Sequence, residues 1–449
     1  MSVPAPPSTS PPDELEALIR EARARQRRRW IGVAAFVGIS AAAGLATWAV
    51  VPGDSGGPAG GRSSRNSLVQ ARRCPPGNLG TLAFARGGAL QLLDLHGCRA
   101  RTLVRAHVSG PIATSADGRW VSFHGGYVSV RSGSVHRLPG KVVWSPAGHR
   151  FALITKRGGL EVGRAGRPLR RVLPDGWGAW TAVFSQDRTL AVSRTAGHPA
   201  YVEEIWLVDP ATGARREVFR EPRREGAPLL LHGFSPDGHW LLFWKDLDAS
   251  ASILADGVPL LAVPVAGGRP RIVTKAELYF RDFLGWCGGS FVYVTDHGGR
   301  TVSRGDGMAV TAPPTWQSQV ILPARGQTSW TAFSCGPGGT LAVAAGPTGD
   351  DEPFGHEHRS IWLVHGRSAR RLSQTIPPPG RSDEWPSWSA NGRWLLFVRT
   401  RFSGRGWPGS LFALDLATRK LVGPIAKVGA TENYYGHYAW SSQISWHRP

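Results

Sequence analysis

Acidic residues are scarce in this sequence, with 32 Asp and Glu against 53 Lys and Arg, for a formal net charge of +21. Cysteine is scarcer still: there are four, and no two have the Cys-x-x-Cys spacing that a structural zinc site needs. Phosphate-binding glycine loops of the Walker type are absent, and no Gly-x-Ser-x-Gly nucleophile elbow follows the last repeat unit. Long apolar runs are missing too, apart from one.

That one run is Trp30 to Val51, 22 residues without a charge, directly after Arg27, Arg28 and Arg29. It has the length of a membrane-crossing helix, and the preceding arginines predict a cytoplasmic N-terminus with the remainder of the chain outside. Residues 1–29 then form a cytoplasmic tail with a short basic helix, 30–51 the anchor, 52–70 a flexible Gly/Ser/Pro linker, and 71–449 the exported domain. Gly53-Asp-Ser-Gly-Gly57 has the form of a serine-protease motif, but it stands in the linker with no folded barrel before it.

The first 29 residues carry six Arg against four acids, so the excess of base belongs to the remainder, with 47 Lys and Arg against 28 Asp and Glu. A basic exported domain is drawn to anionic polymers or lipid headgroups by an interaction that salt screens. The extracytoplasmic address argues against nucleic acid.

Phe234-Ser-Pro-Asp-Gly-His-Trp-Leu-Leu-Phe243 reads as two short strands about a tight turn. Versions of it recur with Ser115, Ser145, Ser185, Ser389 and, in degraded form, Cys287 and Ser334 at the position of Ser235. The steps of 30 to 55 residues, each holding several strands, predict an all-β chain: a β-propeller of four-stranded blades. The strands at Thr81 to Val104 lack a first member, and Tyr438-Ala-Trp-Ser441 supplies a strand without a blade, so the two ends are expected to share one. Seven anchors plus this shared blade make eight, with seven as the alternative count.

The Trp/Phe-Ser-Pro-Asp-Gly-x-x-Leu-x-Phe pattern, followed by Ile-Trp-Leu-Val-Asp as at Ile205 to Asp209, resembles the TolB-type, WD40-like propeller repeats of bacterial envelope proteins. The resemblance runs from Leu79 to Trp446. It implies the propeller fold, and binding, scaffolding or enzyme-accessory roles for it.

Cys74 and Cys98 flank the first strands of the shared blade, while Cys287 and Cys335 hold nearly equivalent places in consecutive repeats, so 74 with 98 and 287 with 335 are the expected disulfides. Asp282, Asp383 and Glu384 precede innermost-strand anchors and are placed at the mouth of the central channel. Long inserts at Leu247 to Pro259, Gly298 to Pro314, Gly346 to Arg359 and Thr400 to Pro408 are expected contact surfaces, with Arg401, Phe402, Arg405 and Trp407 as basic and aromatic binding residues. His356-Glu357-His358 reads as a solvated polar loop, and neither metal nor cofactor is expected.

No nucleophile, base and orienting partner can be assembled from these residues. The sequence therefore predicts a non-enzymatic, membrane-anchored propeller that binds an envelope protein, a peptide or an anionic cell-wall polymer. The alternative is a propeller hydrolase or lyase that acts on envelope glycans through channel-mouth carboxylates.

Overall fold

The computed structural model describes residues 74–448 except 106–107, 109, 187–188, 198–200, 224–228, 246–256, 278, 296–305, 325–327, 348–357, 402–406, 432 and 435–436. The expected tail, anchor and linker therefore lie outside the described residues. Among the described residues no helix is long and apolar enough to cross a membrane.

The local chemistry of the repeat explains its sequence. The Ser235 hydroxyl accepts the Trp240 N–H at 2.9 Å and donates to the Asp237 carboxylate, which accepts the His239 N–H at 3.0 Å. Gly238 takes the left-handed φ of 73° that the turn requires. Ser115 with Asp117 and Ser389 with Asn391 repeat this pattern. Each such turn joins the innermost strand of a blade to the second. The second strand is apolar on both faces, as in Trp240–Lys245, because each blade is covered by a neighbour on either side.

Eight four-stranded antiparallel sheets result, and the molecule is an eight-bladed propeller, as the repeat count predicted. Blades 2 to 8 take their four strands in sequence order, with innermost strands Ala113–Thr114, Gly140–Trp144, Ala179–Ser185, Leu229–Phe234, Leu284–Cys287, Thr328–Cys335 and Arg381–Trp388. Blade 1 is composite. Its outer three strands are Thr81–Arg86, Ala89–Asp94 and Arg99–Val104, and its innermost is Ile444–His447 from the other end of the chain. The expected closing strand thus begins six residues later than Tyr438, because Trp440–Gln443 forms one helical turn first.

The core lies between blades. Val183, Ala191 and Ile205 of blade 4 pack on Leu231, Leu241 and Phe243 of blade 5, and Leu396 and Val398 of blade 8 pack with Leu82 and Phe84 of blade 1. A second fastening joins blades at their outer edges. Arg101, Arg170 and Arg216, from the outermost strands of blades 1, 3 and 4, donate to the carbonyls of Val130, Pro210 and Val265 in the next blade.

Both expected disulfides form. Cys74–Cys98 fixes the start of the described chain to blade 1, and Cys287–Cys335 joins the last residues of the innermost strands of blades 6 and 7.

Candidate active site at the channel mouth

Strand direction gives the propeller two unlike faces. The Ser-x-Asp-Gly turns and the links from third to fourth strands lie on one face, called here the turn face. Links from second to third strands, and from each blade to the next, lie on the other, where the innermost strands begin. All four expected long inserts are of this second kind, so they leave from the mouth face. All four are shorter than expected: Val258–Pro264 and Gly307–Thr311 are third strands of blades 5 and 6, the second strand of blade 7 runs to Pro347, and in blade 8 the second strand ends at Arg401 and the third opens at Trp407.

Several innermost strands are irregular near the mouth. In blade 4 the pairing register shifts between Ala179 and Thr181, which are buried, and the extra residue, Trp180, is 57% exposed. In blade 5 the shift falls between Leu231 and Gly233 and singles out His232; in blade 8 it falls between Glu384 and Ser387. Such bulges re-aim side chains that a regular strand would bury.

Lys141, the second residue of the innermost strand of blade 3, is exposed at the same level as Trp180 on the adjoining blade. Arg281 and Asp282 lie in the short turn Arg281–Phe283 that leads into blade 6. Asp282 accepts hydrogen bonds from the backbone N–H and the side chain of Ser441, just before the innermost strand of blade 1. Since blades 7 and 8 lie between these two, the contact joins segments that are not neighbours around the ring.

The charges at the mouth influence one another. Burial lowers the Lys141 ammonium pKa below its ordinary value of 10.5, and the positive charge of Arg281 lowers it further. The Lys141 surface is open to solvent while protein crowds it from the sides, as expected of a group inside a lumen; the crowding governs its titration. His232 is pushed down to about 3 by burial and then by Arg281, so it is neutral at pH 7. Its ring stands edge-on to Trp244 and Phe291, at 5.4 and 5.7 Å between centroids. Asp282 is raised to about 6 by burial, against the hydrogen bonds from Ser441 and the nearby charge of Arg281. Arg281 of blade 6 thus acts on groups of blades 3 and 5.

Asp383 and Glu384 begin the innermost strand of blade 8 at the mouth, but their side chains are shut off from the channel, at 0% and 1% exposure. Arg399 holds both oxygens of Asp383, and Arg359 donates to Glu384 Oε1 at 3.1 Å. The Ser382 hydroxyl donates to the same Glu384 oxygen. Burial pushes Asp383 up to about 7 in spite of Arg399. The expectation of a carboxylate pair facing the channel is corrected here: buried Arg359 of blade 7 and half-buried Arg399 of blade 8 hold that pair within the ring wall, and Asp282 stands apart from it.

Arg401 is exposed at the end of its strand, Trp407 opens the next strand, Trp407–Asp415, and Phe402 and Arg405 lie outside the described residues. His356 and Glu357 also lie outside them. Sequence reasoning missed Lys141, Trp180, His232 and Arg281. A signal for most of them was present: counting back four to six residues from the anchors Ser145, Ser185, Cys287 and Ser389 reaches Lys141, Trp180, Arg281, Asp282, Asp383 and Glu384.

Neither a protein-family model nor a curated protein matches the chain. Solved structures do match. Dipeptidyl peptidase 4 of Porphyromonas gingivalis is 14% identical, with 80% of this chain and 59% of that chain covered and a TM-score of 0.50. Oligogalacturonate lyase in complex with manganese is 15% identical over 69% of this chain and 79% of that one, with a TM-score of 0.42, and a puromycin-hydrolyzing peptidase of Mycobacterium tuberculosis is 15% identical over 77% and 52%, with a TM-score of 0.42. The chain spans less than two thirds of the length of the dipeptidyl peptidase. At these identities the likeness is one of fold. The expectation that the chain is not an enzyme is withdrawn, because the fold it shares with the dipeptidyl peptidase gives no ground for excluding catalysis.

Proposed function

We propose that this protein is a lyase acting on an acidic glycan of the cell envelope at the mouth of the propeller channel, with the propeller held outside the membrane by residues 30–51. The observation that carries the reading is the bulge that turns Trp180 out of its strand at the level of Lys141. An exposed indole on a rigid innermost strand offers a flat apolar face to a sugar ring, and a lysine and an arginine nearby match its carboxylate.

The choice between hydrolase and lyase follows from counting carboxylates. Glycoside hydrolysis by the usual route needs two, one on each side of the bond. Among the described residues, the innermost strands carry Asp383 and Glu384, both buried and held by arginines, and Asp282 leads into the innermost strand of blade 6. Elimination from a uronate needs less. Arg281 neutralises the carboxylate, and Lys141, whose lowered pKa gives it a larger neutral fraction, takes the proton from the carbon beside it. The glycosidic C–O bond then breaks as the ring double bond forms, and Asp282 gives its proton to the departing oxygen. The Arg27 to Arg29 cluster before the apolar run and the two disulfides support an extracytoplasmic site.

The test is incubation of the protein with polymers of glucuronate, galacturonate and mannuronate, following both reducing ends and the ultraviolet absorbance of an unsaturated uronate. Both signals should rise together, and Lys141→Ala should abolish them. Reducing ends without unsaturation would establish hydrolysis in its place, and neither signal on any acidic polymer would sink the reading. Protease access to the propeller in intact spheroplasts tests the placement.

A further inference from the structure

The turn face carries a different chemistry from the mouth, and its use does not depend on the lyase reading. Five of the eight outermost strands open on a basic residue: Arg99, Arg170, Arg215, Arg271 and Lys420 in blades 1, 3, 4, 5 and 8. Every one is exposed, and all stand at equivalent places beside the turn face. Among them are large apolar side chains with no cover. Val135 opens the outermost strand of blade 2, and Ile272 and Val320 are second in those of blades 5 and 6, at 39%, 58% and 50% exposure.

The acids of this face are engaged in its turns. Asp117 and Asp237 bind the serine hydroxyl and backbone N–H groups of their own turns, and Asp415 accepts from Arg393 Nη2 at 2.7 Å. The rim therefore presents bases interspersed with bare β-branched side chains, at one level around a circle.

We propose that the turn face docks on an anionic lipid bilayer. Bases would meet the headgroups, and Val135, Ile272 and Val320 would enter the boundary between headgroups and acyl chains. A soluble anionic polymer would also meet the bases, but it gives the apolar side chains nothing to enter. The chain's own entry points the same way. Cys74 is bonded to Cys98, which immediately precedes Arg99, and the Leu79 carbonyl accepts from the Trp446 indole at 2.7 Å, so the described chain begins on this face. The 22 residues 52–73 then lead back to the uncharged run that ends at Val51.

The test uses the full chain with nanodiscs of phosphatidylglycerol or phosphatidylcholine, reading hydrogen exchange in peptides that cover 95–104, 265–275 and 416–422. Exchange there should slow about tenfold more on phosphatidylglycerol, given the strength of such contacts, while the mouth-face peptides stay unchanged. Combining Arg99→Glu, Arg271→Glu and Lys420→Glu should remove that difference. The pair Ile272→Ser and Val320→Ser, which reverses no charge, should reduce it. Equal exchange on the two lipids would overturn the proposal. So would protection by soluble dextran sulfate without protection by phosphatidylglycerol, which would assign the face to an anionic polymer.

Discussion

Arg399 grips Asp383 through both carboxylate oxygens, Nε to Oδ1 at 2.6 Å and Nη2 to Oδ2 at 2.7 Å, with the carboxylate fully buried. Arg399 also lies over the rings of Phe397 and Phe412, at 5.8 and 5.0 Å. Removing one partner strands the other in a place that water does not reach. Arg399→Ala is therefore expected to lower the unfolding free energy by about 3–5 kcal/mol. Arg399→Met combined with Asp383→Leu should fall within about 2 kcal/mol of the parent, since both the desolvation penalty and the attraction disappear together. Denaturant midpoints of the three proteins check this.

The propeller was legible in the sequence because its turn chemistry is local. Ser235, Asp237 and Gly238 each do work that can be named from three or four adjacent residues, and the same work recurs at Ser115 and Ser389. The cysteine pairs were legible from position too, Cys287 and Cys335 holding nearly equivalent places in consecutive repeats and Cys74 and Cys98 flanking the first strands of the shared blade. The mouth was not, because it depends on register. Trp180 is one more tryptophan in the sequence until a bulge turns it outward, and Lys141 owes its lowered pKa first to burial and then to an arginine three blades on. Asp383 and Glu384 were correctly placed near the head of a strand, but Arg399 comes from the second strand of blade 8 and Arg359 from the residue just before the third strand of blade 7. Nothing in the local sequence announces those partners.

The turn makes its own prediction. Ser235→Ala leaves the Trp240 N–H without its acceptor and frees the Asp237 carboxylate, at an expected cost of about 1–2 kcal/mol. Asp237→Asn should cost less, because Asn391 already fills the same position in blade 8, accepting the Arg393 N–H at 3.1 Å. Thermal melts that rank the two variants the other way would show that the carboxylate charge, rather than the hydrogen-bond pattern, holds the turn.

Cys287 and Cys335 close a loop with a sequence separation of 48 between two adjacent innermost strands. In the chain-entropy model a loop of this size stabilises the folded state by about 4 kcal/mol. Cys287→Ser with Cys335→Ser should lose a stability of that order in denaturant. It should also raise hydrogen exchange first in Leu284–Cys287 and Thr328–Cys335, where blades 6 and 7 separate. Uniform loosening around the ring would mean that the bridge acts on the unfolded chain alone.

Asp282 titrates where it can be watched. Burial raises it from 3.8 to about 6, so the folded protein holds this proton more tightly than the unfolded chain does. The stabilisation that the proton brings is complete below pH 3.8, falls as pH rises towards 6, and is absent above that. Asp282→Asn keeps a neutral group that can still accept from Ser441 at every pH. Its stability relative to the parent should therefore increase between pH 4 and 6, by at most about 3 kcal/mol, and hold constant on either side. Activity should follow the same proton. If Asp282 supplies it to the departing oxygen, turnover by the parent declines as pH rises through about 6, and Asp282→Asn turns over slowly with that limb gone. A variant that keeps both the rate and the pH limb would assign the proton to another group, while one that keeps the rate and loses the stability difference would leave Asp282 as the residue that ties blade 6 to Ser441.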